Sequence, residues 1–502
     1  MIALRANLAQ PFSLPAPVGG LNFKDGLAAM PPLDAYLLDN LVVNKTSVSL
    51  RGGYTSFASG MGSANVDTLA VYSGASSDKL LAGTDGKIYE ISSGTPSSLA
   101  TGFSNNYWST VLCSGTLLFF NGVDTPQKYD GSTVSSASYT GTGLTATKLC
   151  QVNLYRSRLY MVEENSLRIW YTDTSSVTGA LTDFDFARIF RKGGKLLWTA
   201  TWTRDGGNGM DDLFVAATNK GEMVVYSGSY PAGSDWKIIG RFDTPVCIGR
   251  RSFFQLGGDL VVITEQGCFG LSSIMQFGTI VQATDQISDN VNLAFADLAK
   301  YYGSLTGWEA LNYPRGNYIL INVPISTAQS VQYVCNLITR KWSRFKNQNA
   351  RSWAVFNGAL YFGSTGGTVF KADTGFQDNG TPIQFSAGQA FNIFEQSTNK
   401  VFSMIRPLIT IESDVLLNLT VKTDFRTVAE SNPIKTASLQ SSPWDTSPWN
   451  TSPWSTLQTL AEWAGCGTIG KYGSVYLVGQ ANNTSLEWHS TDLLIEQSEG
   501  LT

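Results

Sequence analysis

The chain of 502 residues contains one histidine, His489, and only 15% of its residues are charged. With one histidine and no C-x-x-C pair, the sequence lacks the ligand spacing that is typical of a zinc site. The net charge of −4 gives the chain no general attraction to phosphate. The sequence therefore has little of what metal chemistry or tight nucleic-acid binding requires.

Long apolar runs and catalytic motifs are also missing. No apolar stretch approaches the roughly 18 residues that span a bilayer, so we expect no membrane-spanning segment. Residues Met1–Arg5 do not start a basic head followed by an apolar run, so we expect no signal peptide. P-loop, nucleophile-elbow and zinc-protease motifs do not occur, and we predict no catalytic residues, no metal, no cofactor and no enzyme activity.

Six cysteines are scattered along the chain, mostly inside apolar, strand-like runs. Their separation gives no disulfide framework, and we expect free, buried thiols in a protein made in a reducing cytosol. They are Cys113, Cys150, Cys247, Cys268, Cys335 and Cys466.

Glycine (49 residues) and aromatic side chains (12%) are abundant instead, a mixture that suits strands and tight turns. An Asp85-Gly86 pair between apolar alternating runs predicts a hairpin. Strand-like units recur roughly every 40–50 residues, and the segment Lys341-Trp342-Ser343 is typical of a kelch-type blade. We predict an all-β fold whose residues 55–375 form a β-propeller of about six blades, with a solenoid or large sandwich as the alternative.

The pattern changes after residue 375. Residues 382–425 and 469–497 alternate apolar and polar side chains, which favours a sheet with one buried face. We therefore predict an additional C-terminal β-sandwich-like domain over residues 376–502. Two short helices are also expected, one over 289–299 and one over 32–41, from capping residues and apolar spacing.

A Ser-Pro-Trp repeat forms a predicted loop at 441–455. It places Trp444, Trp449 and Trp454 five residues apart, and proline prevents a regular central strand there. Because exposed tryptophans are favoured interface anchors, these three are candidates for docking a partner. Alternatively, the loop folds back and covers the sandwich with its own indoles.

Basic residues are concentrated in residues 310–372, a stretch with no acidic residue. We select five of them as candidates for facing DNA or a neighbouring subunit. They are Arg340, Lys341, Arg344, Lys346 and Arg351. The alternative is a solvated sheet edge, where lysine and arginine prevent strand pairing.

The N-terminal region carries two distinctive segments, Pro17-Val18-Gly19-Gly20-Leu21-Asn22 and Leu50-Arg51-Gly52-Gly53-Tyr54. In this order, followed by the propeller-like units and the Trp-Pro repeat, the chain resembles the tail nozzle proteins of short-tailed bacteriophages (podoviruses). That family is also called tail tubular protein B or packaged-DNA stabilisation protein. The resemblance covers most of the chain.

The resemblance implies a structural virion protein, made in the host cytoplasm, that forms a hexameric ring at the distal end of the phage tail. The ring would retain genomic double-stranded DNA and conduct it without sequence-specific binding during ejection. The implied partners are further copies of the chain, the tail adaptor or connector, a fibre or spike, and a tail needle or plug. Residues 1–54 are expected to be an extended segment that packs on or completes the propeller.

Two other interpretations of the sequence stay open. The first is a carbohydrate-binding or carbohydrate-cleaving β-propeller, such as a phage receptor-binding protein, since a carboxylate pair for glycoside hydrolysis leaves no sequence spacing. The second is a kelch-like scaffold in a cell, which would more often be monomeric than ring-forming.

Overall fold

The computed structural model describes residues 9–75, 77–205, 210–277, 287–394, 398–413, 415–426, 433–434 and 458–497. The fold is all-β and divides into two compact units. The sandwich unit comprises residues Met1–Thr55, Gln332–Asn347 and Asp373–Thr502. The propeller unit comprises residues Ser56–Val331 and Gln348–Ala372.

Small antiparallel sheets follow one another along the propeller unit, and we name them sheets A to G in chain order. Sheet A contains Thr68–Ser73, Asp78–Thr84, Lys87–Glu90 and Ser97–Thr101. Sheet B contains Ser109–Cys113, Thr116–Phe120, Gln127–Tyr129 and Val134–Ser136. Sheet C contains Leu149–Tyr155, Arg158–Glu163, Arg168–Tyr171 and Thr182–Asp185. Sheet D contains Leu196–Asp205, Met210–Thr218, Glu222–Ser227 and Lys237–Asp243.

The remaining propeller sheets have fewer strands within the unit. Sheet E contains Phe253–Leu256, Asp259–Thr264 and Gly267–Gly270. Sheet F contains Glu309–Tyr313 and Tyr318–Pro324, and sheet G contains Ser352–Phe356, Ala359–Gly363 and Val369–Ala372. A short parallel pair joins Tyr139–Thr140 to Gly179–Ala180. Among the described residues, the helices are the 3-10 turns Ala146–Lys148 and Asp289–Val291 and the α-helices Leu271–Phe277 and Asn292–Tyr302.

Neighbouring propeller sheets share apolar cores. Buried side chains join sheet A to sheet B, B to C, C to D, and D to E. The first strand of sheet F packs beside the first strands of sheets E and G. Leu80 and Ala82 of sheet A also share a core with Tyr361 and Val369 of sheet G, so the last sheet meets the first. Sheets arranged face to face in a closed circle make this unit a β-propeller.

The predicted count of about six blades stays a prediction, because sheets E, F and G have fewer than four strands among the described residues of this unit. The Asp85-Gly86 hairpin is confirmed, with both residues at positive φ (52° and 66°) as a tight two-residue turn requires. The predicted helix at 289–299 is also confirmed and extends to Tyr302. All six cysteines are described and buried, and none of them is joined in a disulfide.

The described strands of the sandwich unit belong to two sheets. The first sandwich sheet contains Gln10–Pro15, Leu41–Val43, Val48–Leu50, Lys400–Ile411, Gln458–Leu460, Ala464–Gly470 and Leu486–Gln497. The second contains Gly20–Leu21, Asp34–Asp39, Lys341–Phe345, Gln377–Asp378, Thr381–Gln389, Val415–Thr423, Pro433–Ile434 and Gly473–Ala481. Two further strands, Tyr54–Ala58 and Ser330–Asn336, run from one unit into the other along the chain.

The alternation of apolar and polar residues predicted a sheet with one buried face, and the second sandwich sheet has such a face. Val415, Leu417, Leu419 and Val421 are buried, whereas Leu416 is 71% exposed. The expected helix over 32–41 is wrong, because Asp34–Asp39 is a strand. It pairs with Thr381–Gln389, and this long-range pairing outweighs the local helix signal.

The segment that resembles the nozzle family supplies strands to both sandwich sheets. We predicted that residues 1–54 pack on or complete the propeller or its platform, that residues 55–375 form the propeller, and that the C-terminal domain starts at 376. In the structure, the N-terminal segment groups with the C-terminal residues, and so do residues 332–347. These three stretches of chain form one unit because strands from each pair side by side.

Candidate functional site

The tryptophans of the Ser-Pro-Trp repeat, Trp444, Trp449 and Trp454, lie outside the described residues. Their role in docking a partner therefore stays a prediction. The five selected basic residues are all described, and they belong to both units. Arg340, Lys341, Arg344 and Lys346 lie in the sandwich unit, whereas Arg351 lies in the propeller unit.

Asp39 binds two of the basic residues in the sandwich unit. The strand Asp34–Asp39 lies parallel to Lys341–Phe345, with Asp39 opposite Arg344. Arg344 Nε donates to Asp39 Oδ1 at 2.6 Å, and Lys346 Nζ lies 2.7 Å from Asp39 Oδ2. Burial alone would lower the pKa of Arg344, but the hydrogen bonds and charge of Asp39 raise it. Both cations are therefore held by a carboxylate of their own unit.

Arg351 is held in the same way in the propeller unit. Its side chain is only 6% exposed, and its Nε lies 3.3 Å from Asp67 Oδ1. Its Nη2 donates to Thr306 Oγ1 at 2.7 Å. Burial raises the pKa of Asp67, although Arg351 acts in the opposite direction. Arg351 is thus buried in a charge pair and does not present its guanidinium to solvent.

Arg340 and Lys341 differ from the other three. Arg340 is exposed in a turn at a φ of 56°, and Lys341 is half-buried at the start of its strand. Within the described residues, neither forms a salt bridge. The sequence could not reveal this division, because the acidic partners Asp39 and Asp67 come from a distant part of the chain. The prediction that basic residues face DNA or a subunit now concerns Arg340 and Lys341 above all.

The propeller unit contains a second group of charges that the sequence analysis did not single out. They surround a cavity of about 340 Å³ lined by the first strands of several sheets. Arg251 is central to it: its Nη atoms donate to the carbonyl oxygens of Asp67 (3.0 Å) and Trp108 (2.6 Å) and to Thr68 Oγ1 (2.9 Å). Its guanidinium also lies 4.1 Å from the Tyr107 ring centroid.

Glu309 faces Arg251 across this cavity, with Oε2 and Nη1 3.6 Å apart. The same carboxylate accepts a hydrogen bond from the backbone N–H of Trp353 at 3.1 Å. Burial raises the pKa of Glu309, and Arg251 opposes that shift. These contacts tie sheet F and sheet G to the segment before sheet E. The one sequence signal was the Arg250-Arg251 pair directly before a strand.

The family-like segment Leu50-Arg51-Gly52-Gly53-Tyr54 contains a buried cation of the sandwich unit. Arg51 is 1% exposed and forms a bidentate pair with Asp378, at 2.9 and 2.7 Å. Its Nε donates to Asn40 Oδ1 at 2.8 Å. At Gly53, a Cβ atom would lie 2.0 Å from the carbonyl oxygen of Gln377, so only glycine fits. These motif residues therefore hold the unit together.

The described ranges contain neither a candidate metal site nor a helix that could span a membrane. No group of three or more His, Cys, Asp or Glu side chains there could hold a metal ion. No helix within those ranges combines the length and apolar character needed to cross a membrane.

Comparison with known proteins gives structural neighbours only. No protein-family model and no curated protein matches the sequence. One similar structure is described as the extracellular domain of a one-component system of B. thetaiotaomicron, with 9% identity and a TM-score of 0.41. That match covers 79% of this chain and 56% of the other. Another is BamB of Moraxella catarrhalis, with 13% identity, a TM-score of 0.34, and coverage of 65% and 96% respectively.

Proposed function

We propose that the protein is a structural component of a short phage tail, the nozzle through which genomic DNA leaves the virion. Six copies would form a ring around an axial channel, below the tail adaptor. The ring would retain the packaged DNA, conduct it during ejection, and offer outer surfaces to fibres or spikes. The protein would act through assembly and shape, without a chemical step of its own.

The observation that carries this proposal is the position of Arg51. The residues that give the chain its resemblance to nozzle proteins are architectural: Arg51 is buried against Asp378, and Gly53 allows a close backbone approach. Asn22 donates to Asp34 at 2.7 Å in the same N-terminal segment. A resemblance that rests on buried structural residues is expected between proteins that share a structural framework.

The charges in the propeller unit also support the proposed nozzle function. The cavity lined by the first strands of its sheets is about 340 Å³, and Arg251 and Glu309 contact each other beside it. A duplex needs a far wider path, so the channel would be formed between copies of the chain. A wall that does not bind phosphates tightly suits sliding, because every strong phosphate contact would slow DNA.

The alternative of a carbohydrate-binding or carbohydrate-cleaving propeller receives no comparable support. The amides that line the propeller cavity already have partners: Gln151 exchanges hydrogen bonds with the backbone of Thr199 at 2.9 and 3.0 Å. Asn153 donates to Thr201 Oγ1 at 3.1 Å. A polysaccharide-cleavage assay on the purified chain separates the nozzle from a carbohydrate-cleaving propeller.

Electron microscopy of the purified full-length chain, alone and mixed with its phage's tail adaptor, tests the proposal. We expect six-fold rings, or rings that form on the adaptor, with a channel that admits duplex DNA. Monomers that never join the adaptor, together with cleavage of a polysaccharide, would replace the nozzle by the carbohydrate-active propeller.

A further inference from the structure

The sandwich unit contains an open groove of about 630 Å³ that the nozzle function does not explain. It lies over the second sandwich sheet, on the strands Thr381–Gln389, Gly473–Ala481 and Val415–Thr423. Its volume is within the range of ligand-binding clefts.

The strand register places a polar set of side chains on the groove face. Gln384 lies opposite Gln480, which lies opposite Leu416 on the next strand. One pair further along, Val478 lies between Ser386 and Asn418. Side chains alternate across a strand, so these residues share one face while their neighbours are buried in the core. The groove therefore has amides and a hydroxyl distributed over an aliphatic floor.

Several of these amides have unused hydrogen-bonding capacity. Gln384 and Gln480 are exposed, and neither side-chain amide is hydrogen-bonded within the described part of the chain. The Oδ1 atom of Asn418 is buried and has no hydrogen-bond partner among the described residues. A buried carbonyl oxygen without a partner is costly, and a ligand hydroxyl would satisfy it.

The charges of the groove are neutralised. Asp39, on its rim, is paired with Lys346 at 2.7 Å and with Arg344 at 2.6 Å. The groups available to a ligand are consequently neutral donors and acceptors. A side-chain amide offers two N–H donors and one carbonyl acceptor, a set that fits adjacent hydroxyl groups.

A polypeptide would be a poor occupant of this face. Peptides that join a sheet usually add to an edge strand and use its free backbone groups. Here the central strand Gly473–Ala481 is paired on both sides, and the groove lies over the face of the ladder. A ligand must therefore be recognised by side chains alone, as a polyhydroxylated ligand can be.

We propose that this groove binds a segment of a neutral polysaccharide, recognised by the amides of Gln384, Gln480 and Asn418 above the aliphatic floor of Leu416 and Val478. The site is independent of the nozzle function. It would give the chain a contact with a glycan surface in addition to its place in an assembly.

A glycan array probed with the full-length chain is the first experiment. It carries neutral oligomers of glucose, galactose, mannose and N-acetylglucosamine beside sialylated and sulfated glycans. The strongest neutral binder is then titrated calorimetrically at low and high salt. We expect binding to neutral glycans and an affinity that salt does not change, because the ligand carries no charge.

Three variants decide whether the groove is the site. Gln384→Ala and Gln480→Ala should each weaken binding about tenfold, the loss expected when one good hydrogen bond is removed. Gln10→Ala is the matched control, since Gln10 is an exposed strand residue in the first sandwich sheet, and it should bind like the native chain.

Three outcomes would overturn the proposal: no neutral glycan binds, only anionic glycans bind and salt abolishes their binding, or the groove variants bind like Gln10→Ala. Protection of Gln384 and Gln480 peptides from hydrogen exchange on mixing with the tail adaptor, without glycan binding, would assign the groove to a protein partner. Ring formation is measured in a separate experiment, so rejecting either proposal does not affect the test of the other.

Discussion

The two units each bury an arginine at a junction of chain segments, but they do so differently. Arg51 in the sandwich unit is 1% exposed and matched by one carboxylate, Asp378, which is itself 5% exposed. Arg251 in the propeller unit is 15% exposed and divides its hydrogen bonds among two backbone carbonyls and a hydroxyl. Its nearest carboxylate, Glu309, is 3.6 Å away.

The two arginines differ in the groups that would be left without a partner if the arginine were replaced. Loss of Arg51 would leave a buried carboxylate without its counter-charge, a situation that costs several kcal/mol. Loss of Arg251 would leave mostly neutral acceptors, which are less expensive to bury unpaired. Arg51 also donates to the Asn40 side chain and to two backbone carbonyls. The two arginines therefore differ in their counter-charge, which is a bidentate carboxylate for Arg51 and a carboxylate 3.6 Å away for Arg251.

The largest effect should follow from Arg51→Met. We expect the sandwich unit to lose about 3–5 kcal/mol of unfolding free energy, because Asp378 stays buried without its counter-charge. Hydrogen exchange in increasing urea, followed peptide by peptide, measures each unit separately in a chain that need not unfold in one step. Arg340→Met is the matched control in an exposed turn, with a change within about 0.5 kcal/mol. Equal losses in the two variants would contradict the comparison.

Arg251→Met should have a smaller effect, confined to the propeller unit. We expect a loss of about 2–3 kcal/mol, from hydrogen bonds to a charged donor whose acceptors are mainly neutral. The same exchange experiment should show weaker protection in sheets A and B, where Arg251 makes its contacts. A loss as large as that of Arg51→Met would mean that the contact with Glu309 stabilises the propeller unit as strongly as the bidentate pair with Asp378 stabilises the sandwich unit.

The pH dependence of the propeller unit should be smaller still. Burial raises the pKa of Glu309, so the folded chain binds a proton at a pH where the unfolded chain has released it. The contribution of Glu309 to stability is therefore complete below its unfolded pKa of about 4.3 and is lost as pH rises through the folded pKa. Relative to Glu309→Gln, the native propeller unit should gain stability on acidification from pH 7. If the difference in unfolding free energy between the native unit and Glu309→Gln does not vary with pH, Arg251 keeps the Glu309 carboxylate ionised.

The smallest change in stability, but a change in assembly, is expected for the double variant Arg340→Glu/Lys341→Glu. These side chains lack a salt bridge among the described residues, so unfolding free energy should stay within about 0.5 kcal/mol of the native value. If they face a subunit or DNA, charge reversal should lower the fraction of rings or slow DNA ejection. Lys220→Glu, an exposed control in the propeller unit, should assemble normally. Normal rings and normal ejection in the double variant would remove these residues from the proposed interface.

Local sequence patterns predicted the elements that depend on neighbouring residues. The Asp85-Gly86 hairpin follows from two residues that tolerate positive φ, and the alternation at 415–421 follows from one buried sheet face. The strand at Asp34–Asp39 could not be predicted in this way. Its partner strand lies some 350 residues away, and only that pairing makes it a strand.

The contacts of the candidate site also could not be predicted from local sequence patterns. The sequence identified a stretch of cations without acids, and it could not show that Asp39 and Asp67 neutralise three of them. Nor could it show that Gln384, Gln480 and Asn418 share one face, because their strands are separated by up to a hundred residues.

By itself, the sequence determined the all-β class, the repeated small sheets and the change in apolar and polar alternation after residue 375. These features depend on side-chain alternation and turn chemistry over a few residues. Only the tertiary structure decided which cations are paired, which amides line the groove, and that the N-terminal segment belongs with the C-terminal strands. Those properties arise from distances between residues far apart in the chain, and strand pairing sets such distances through contacts that no local pattern encodes.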